Sequence, residues 1–269
     1  MKLSISVNSW DFLPQKVNLI EKLLMGIPKK RKNIIVNLSN MVEKKQIDGI
    51  ELIISVKNSQ QDIKKLYELF NQYYIPILSV HQAVLQILKI DIPSIEFLFE
   101  TAKTLNAKVI VVHLYAIRKL LEKPEKIEYL RKLERDYQIQ IGLENSSRDI
   151  GVGLFSGIAK KFAWDGQEFT KTITNLGMKV TFDTTHFGLS EWGINRFFLE
   201  NKDRIINIHL SDYKDNLLGS HLLLGKGVLP MKDFLRTIKL NKYKGLVTLE
   251  INADFPELIG NINYVKDVL

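Results

Sequence analysis

Apolar residues fall in two patterns along this chain. Short dense runs alternate with longer segments in which apolar positions recur every three or four residues. The dense runs are LSISV (Leu3–Val7), GIELII (Gly49–Ile54), PILSVH (Pro76–His81), KVIVVH (Lys108–His113), IQIGLE (Ile139–Glu144), KVTFD (Lys179–Asp183), IINIHL (Ile205–Leu210) and LVTLE (Leu246–Glu250). They are rich in Val, Ile and Leu on both faces, which predicts strands buried in a parallel sheet. Between them, QQDIKKLYELFNQYY sets Ile63, Leu66, Tyr67 and Phe70 on one helical stripe. SIEFLFETAKTL opens on Pro93-Ser94, read as an N-cap, with Glu96 close behind. MKDFLRTIKL repeats the amphipathic pattern before the last run. Strand and helix alternating in this way predict an α/β fold, a (β/α)8 TIM barrel. An open doubly wound sheet fits less well, because no Gly-rich phosphate turn follows the first strand. No linker or shift in composition divides the chain, so residues 1–269 are read as a single TIM-barrel domain.

Composition narrows the chemistry. Apolar residues make up 45% of the 269, enough for a large core. There is no cysteine. Disulfides, thiolate nucleophiles and cysteine metal sites are excluded, and His, Asp and Glu remain as metal ligands. The apolar stretch at the N-terminus is too short for a signal peptide. No run approaches the ~18 apolar residues of a membrane span, so a cytoplasmic protein without a membrane partner is expected. The net charge of +8 fits a lysine-rich solvated surface, or contact with nucleic-acid phosphates. The run PKKRKN (28–33) lacks the aromatic interleaving of a nucleic-acid patch and reads as an exposed loop or helix start.

Candidate chemistry sits at the strand ends. His81 closes the third run, His113 the fourth and Glu144 the fifth. Asp183 closes the sixth, with His186 one turn on; His209 lies near the end of the seventh, His221 beyond it, and Glu250 closes the eighth. All five histidines of the chain are in this set. One histidine or carboxylate at a strand end is ordinarily a core group, a surface group or a helix cap. The joint pattern is different, because the C-terminal ends of barrel strands converge on one mouth. Acids and imidazoles gathered there need compensation, and a divalent cation (Zn, Mn, Co or Mg) supplies it.

These motifs resemble the xylose-isomerase-like TIM barrels, a superfamily of sugar isomerases and epimerases that also holds endonuclease-IV-type AP endonucleases. DGIEL, SVH, VVH, GLENSS, FDTTH, NIHLSDY, SHLLLGKG and VTLE carry the resemblance nearly end to end. It implies metal ligands by position. The isomerase/epimerase pattern holds one metal at residues matching Glu144, Asp183, His209 and Glu250. The AP endonuclease pattern holds three, adding His81, His113, His186 and His221. One aspartate of that pattern is Gly219 here, which leaves the third metal short of a ligand.

Two chemistries follow from the resemblance. In a sugar isomerase or epimerase, one metal polarises a substrate carbonyl. Glu144 and Glu250 exchange a proton at the neighbouring carbon, and His186 contacts a substrate oxygen or a second metal. Glu51 matches the family's second-strand acid; a buried structural carboxylate is the alternative. Epimerases carry an arginine soon after the seventh-strand histidine. None occurs between His209 and Gly227, so Lys214 or His221 substitutes. In a phosphodiesterase acting on abasic-site DNA, the extra histidines would hold two or more metals. Against it, SVKNSQQ lacks the arginine that enters the duplex, and QAVLQI lacks the tyrosine expected near the damage. The sugar-type enzyme, with a small sugar-like substrate, is the favoured reading. A barrel that binds a ligand without catalysis is a third class.

Lesser features complete the reading. GVGLFSG (Gly151–Gly157) is a loop over the mouth or a phosphate cradle, and Arg148 beside it is a candidate anion contact. LGKG (Leu224–Gly227) resembles the family's glycine turn that places the loop carrying His221. Trp10, Trp164 and Trp192 are candidates for pocket walls or for core packing.

Overall fold

Dense apolar runs become strands because both of their faces are covered, and the striped segments become helices that bury one face. The computed structural model describes residues 1–13, 33–55, 57–83, 90–145, 166–187, 193–214 and 221–269. The strands are β1 (Lys2–Asn8), β2 (Gly49–Ile54), β3 (Ile77–Gln82), β4 (Val109–His113), β5 (Gln140–Glu144), β6 (Lys179–Asp183), β7 (Ile205–Leu210) and β8 (Leu246–Leu249). They follow one another around a closed barrel in chain order, as the alternation predicts. The helices among the described residues are α1 (Ile34–Glu43), α2 (Gln60–Gln72), α3 (Ile92–Thr104), α4 (Leu114–Leu121), α5 (Pro124–Tyr137), α6 (Gly166–Leu176), α7 (Thr184–Phe187), α8 (Ile194–Asn201), α9 (Met231–Leu240) and α10 (Phe255–Val268). No helix among the described residues is long and apolar enough to cross a membrane.

Differences from the sequence reading are local. β8 stops at Leu249, so Glu250 is the first residue beyond it. The N-cap of α3 is Asp91 rather than Ser94: its carboxylate accepts the Ser94 amide at 3.0 Å and the Ser94 hydroxyl at 2.6 Å. Pro93 falls inside the first turn, where a missing amide costs nothing. On α2, Ile63, Leu66 and Phe70 are buried but Tyr67 is 42% exposed, so the buried stripe is narrower than predicted. Arg148, the glycine-rich segment 151–157, Trp164, Trp192, Gly219 and the basic run 28–32 lie outside the described residues, as does the side chain of Trp10.

Backbone contacts group the chain into two compact units, Leu3–Ile141 and Met1–Lys2 with Gly142–Leu269. In the first, β1, β2, β3 and β4 pair in parallel, with Ser6 beside Glu51, Glu51 beside Ser79 and His81 beside Val111. In the second, β5 to β8 pair in parallel, with Glu144 beside Thr181, Asp183 beside His209 and His209 beside Thr248. The core of the second unit is aromatic. Phe182, buried beside Asp183 on β6, packs on Phe197 of α8 at 4.6 Å between ring centroids and on Phe187 of α7 at 5.4 Å. Phe234 of α9 closes on the same ring at 5.9 Å.

Candidate metal centre

Side chains alternate across a strand, so residues two apart share a face. Asp183 shares a face with Thr181, His209 stands between Asp183 and Thr248 in register, and Glu250 follows β8 with its main-chain amide donating to the Leu210 carbonyl at 3.3 Å. Glu144 lies level with Thr181, one two-residue step behind Asp183. Strand tilt in a barrel levels such steps. The result is one cluster in which Glu144, Asp183, His209 and Glu250 each offer a ligand atom, all within 4.8 Å of one another. His209 Nδ1 lies 2.8 Å from Glu250 Oε2, 3.4 Å from Glu144 Oε1 and 3.9 Å from Asp183 Oδ2.

A second group, Asp183, His186 and His221, meets the same closeness and shares Asp183 with the first. α7 begins directly after Asp183, and the His186 amide donates to Asp183 Oδ1 at 2.8 Å. That turn lifts the imidazole over the cluster, with Nδ1 at 3.3 Å from Glu144 Oε1 and 3.1 Å from the Asn145 carbonyl. The rings of His186 and His221 meet edge to face, 5.5 Å between centroids.

Two buried carboxylates, Glu144 and Asp183, and the half-buried Glu250 leave a charge problem that the histidines only partly solve. Burial lifts the Asp183 carboxyl above its ordinary value, although His186 and His221 pull it down. Burial alone would discharge His186, but Asp183, Glu144 and Glu250 outweigh it and lift the imidazole to about 10. Burial also works against the Glu250 anion, and His209 and His221 override it, holding the group below the carboxylate range. Asp183 Oδ2 is buried and receives no hydrogen bond from the described residues. A bare buried oxygen among mixed oxygen and imidazole donors fits a divalent cation of the Zn, Mn, Co or Mg kind.

The sequence pattern of the xylose isomerase-like TIM barrel family matches residues 42–264. The chain belongs to this family. Among proteins of curated function, none matches it in sequence. Among solved structures, a D-tagatose 3-epimerase-like protein is 19% identical, with a TM-score of 0.62 over 100% of this chain and 97% of that one. The zinc-binding IOLI protein is 16% identical, with a TM-score of 0.60 over 100% and 96%. A family 2 AP endonuclease from Brucella melitensis is 10% identical, with a TM-score of 0.65 over 99% of each chain. At these identities the likenesses establish the fold.

In this xylose isomerase-like barrel, the side chains next to the acids hold them in place. The Asn145 amide donates to the Asp183 carbonyl at 2.9 Å and accepts the Asp183 amide at 2.7 Å. It thus continues the β5–β6 pairing with a side chain. The Thr184 hydroxyl donates to the Ser211 carbonyl at 2.7 Å, and Thr185 shares a hydrogen bond with the Ser211 hydroxyl at 2.7 Å. Sequence reasoning named none of these four as site residues. Their signal lies inside the quoted motifs, as the amide of GLENSS and the hydroxyls of FDTTH and NIHLSDY.

His81 and His113, in the first unit, are buried and face each other edge to face at 5.0 Å. Glu51 is fully buried on β2 and accepts the Ser79 hydroxyl at 2.8 Å, as a structural carboxylate would. Lys214 is exposed, two residues beyond Asp212.

Proposed function

We propose that the chain is a divalent-metal-dependent isomerase or epimerase of a sugar-like substrate. The observation that carries this reading is the convergence of Glu144, Asp183, His209 and Glu250 within 4.8 Å. These four would hold the cation, which when bound supplies Lewis acidity for a substrate carbonyl. Glu144 and Glu250 approach His209 at 3.4 and 2.8 Å. Placed on either side of a substrate carbon, one takes the proton and the other returns it. His186, lifted over the cluster by α7, would contact a substrate oxygen or a second metal. Glu51 and Arg148 stay candidate substrate contacts, with Lys214 in place of the arginine of epimerases. The epimerase-like neighbour at 19% identity is consistent with this choice of substrate class.

Phosphodiester hydrolysis on abasic-site DNA is the second reading. The group Asp183, His186 and His221 favours it, because it offers a place for another cation. Both readings are tested by incubating the metal-loaded protein with a panel of ketoses in deuterated water, and separately with abasic-site DNA. Deuterium entering the carbon beside a carbonyl, lost in Glu144→Gln, is the expected result. DNA nicking lost in Glu144→Gln, with no exchange into any sugar, would overturn it.

A further inference from the structure

Asp212 is fully buried just past β7, and its environment is peculiar for an acid. Its Oδ2 accepts the amides of Gly225 at 3.0 Å and Gly227 at 2.8 Å. Its Oδ1 accepts those of Tyr213 at 2.8 Å and Leu229 at 3.1 Å. Its main chain forms a two-way bridge with Leu222, 2.9 Å in each direction. Four amide donors on one carboxylate satisfy all of its strong acceptor positions. A β-carbon at Gly227 would collide with Asp212 Oδ1 and the Tyr213 carbonyl, so only glycine lets the loop close this tightly.

The residue held at the mouth of this clamp is His221. It precedes Leu222 and sits in the left-handed region, φ 53°, a conformation costly for a side chain with a β-carbon. Its Nδ1 lies 3.1 Å from the Glu250 carbonyl, which can only accept, so in the neutral ring the proton sits on Nδ1 and Nε2 is left bare. Asn252 donates to the His221 carbonyl at 3.2 Å. We infer that Asp212 is a positioning residue: it folds the segment 222–229 back on itself and thereby fixes the place and tautomer of His221 beside His186 and Asp183. The inference rests on the proposed function only for what His221 does, not for how it is held.

Nitrogen NMR of the five histidine rings, assigned by single substitutions, tests it. In the native protein His221 is expected to carry its proton on Nδ1. In Asp212→Asn the amide group turns N–H towards N–H, and the His221 ring is expected to move to averaged tautomers while the His113 and His209 signals stay. Zinc titration is expected to weaken by about 10–100-fold for the equivalent that His221→Ala also weakens, and to be unchanged for the equivalent that needs Glu144. Gly227→Ala keeps the carboxylate but forces the loop off it, and is expected to move the same His221 signal. An unmoved His221 signal in both variants overturns the inference. So does loss of folding in both, since Asp212 would then serve the fold and not the imidazole. If the native protein binds no zinc, the proposed function fails, while the ring signals still decide the role of Asp212.

Discussion

Two residues away from Glu144 on the same strand stands Gly142, and a β-carbon there would collide with the Thr181 hydroxyl. Gly142→Ala is therefore expected to push β5 from β6, cost about 1–3 kcal/mol of stability and lower metal content, as mass spectrometry of the purified variant would read. His186 sets a pH dependence. Its folded pKa of about 10 lies above the ordinary 6.5. Its stabilising share is thus fully present below pH 6.5 and is lost as pH rises through 10. Thermal melts of metal-free protein are expected to drop across that window, and the drop to shrink in His186→Gln. The candidate acids and imidazoles were legible in the sequence because a polar side chain of a ligand type that ends an apolar run stands out against it, and eight of them do so together or close by. Asp212 was not, because its partners are main-chain amides brought near by a turn, and Asn145 stands inside GLENSS but meets the main-chain amide and carbonyl of Asp183 on the neighbouring strand. No side-chain pattern encodes those contacts.

Elements explain why the acids stay put. Asp183 faces the cluster while its neighbour Phe182 anchors β6 in the aromatic core of α7, α8 and α9. Phe182→Ala is expected to cost about 3–5 kcal/mol by denaturant melts and to lower metal affinity, since the strand end loses its anchor. α10 opens four residues beyond Glu250 with a capping box, in which Asp254 accepts the Glu257 amide at 3.0 Å and Glu257 accepts the Asp254 amide at 3.1 Å. Asp254→Ala is expected to cost about 1 kcal/mol and to leave the Glu144 and Asp183 positions untouched. Strand positions were readable to within a residue or so, since both faces of each run are apolar. Helix starts were less so. Asp91 and Ser94 are both good caps by type, and only the backbone turn at Asp91 decides between them.

At the scale of the whole molecule, a cation bound to the folded chain and not to the unfolded one adds stability by mass action. At one hundred times its dissociation constant the gain is about 2.7 kcal/mol, roughly 5–10 °C in melting temperature for a chain of this size. A chelator is expected to remove that increment from the native protein and to change nothing in a Glu144→Gln, Asp183→Asn double variant. The closed order of eight parallel strands was legible from the alternation alone. The grouping of contacts into two compact units was not. It reflects how densely residues touch, which a run of apolar letters does not record.

Because α7 starts at the residue after Asp183, the His186 amide already engages Oδ1 and turns Oδ2 alone to the cluster. That arrangement favours a grip on an ion through Oδ2 alone over chelation with both oxygens. Calcium draws on six to eight oxygens, often from two-toothed carboxylates, so this pocket would discriminate against it by denticity and retain smaller ions that need fewer donors.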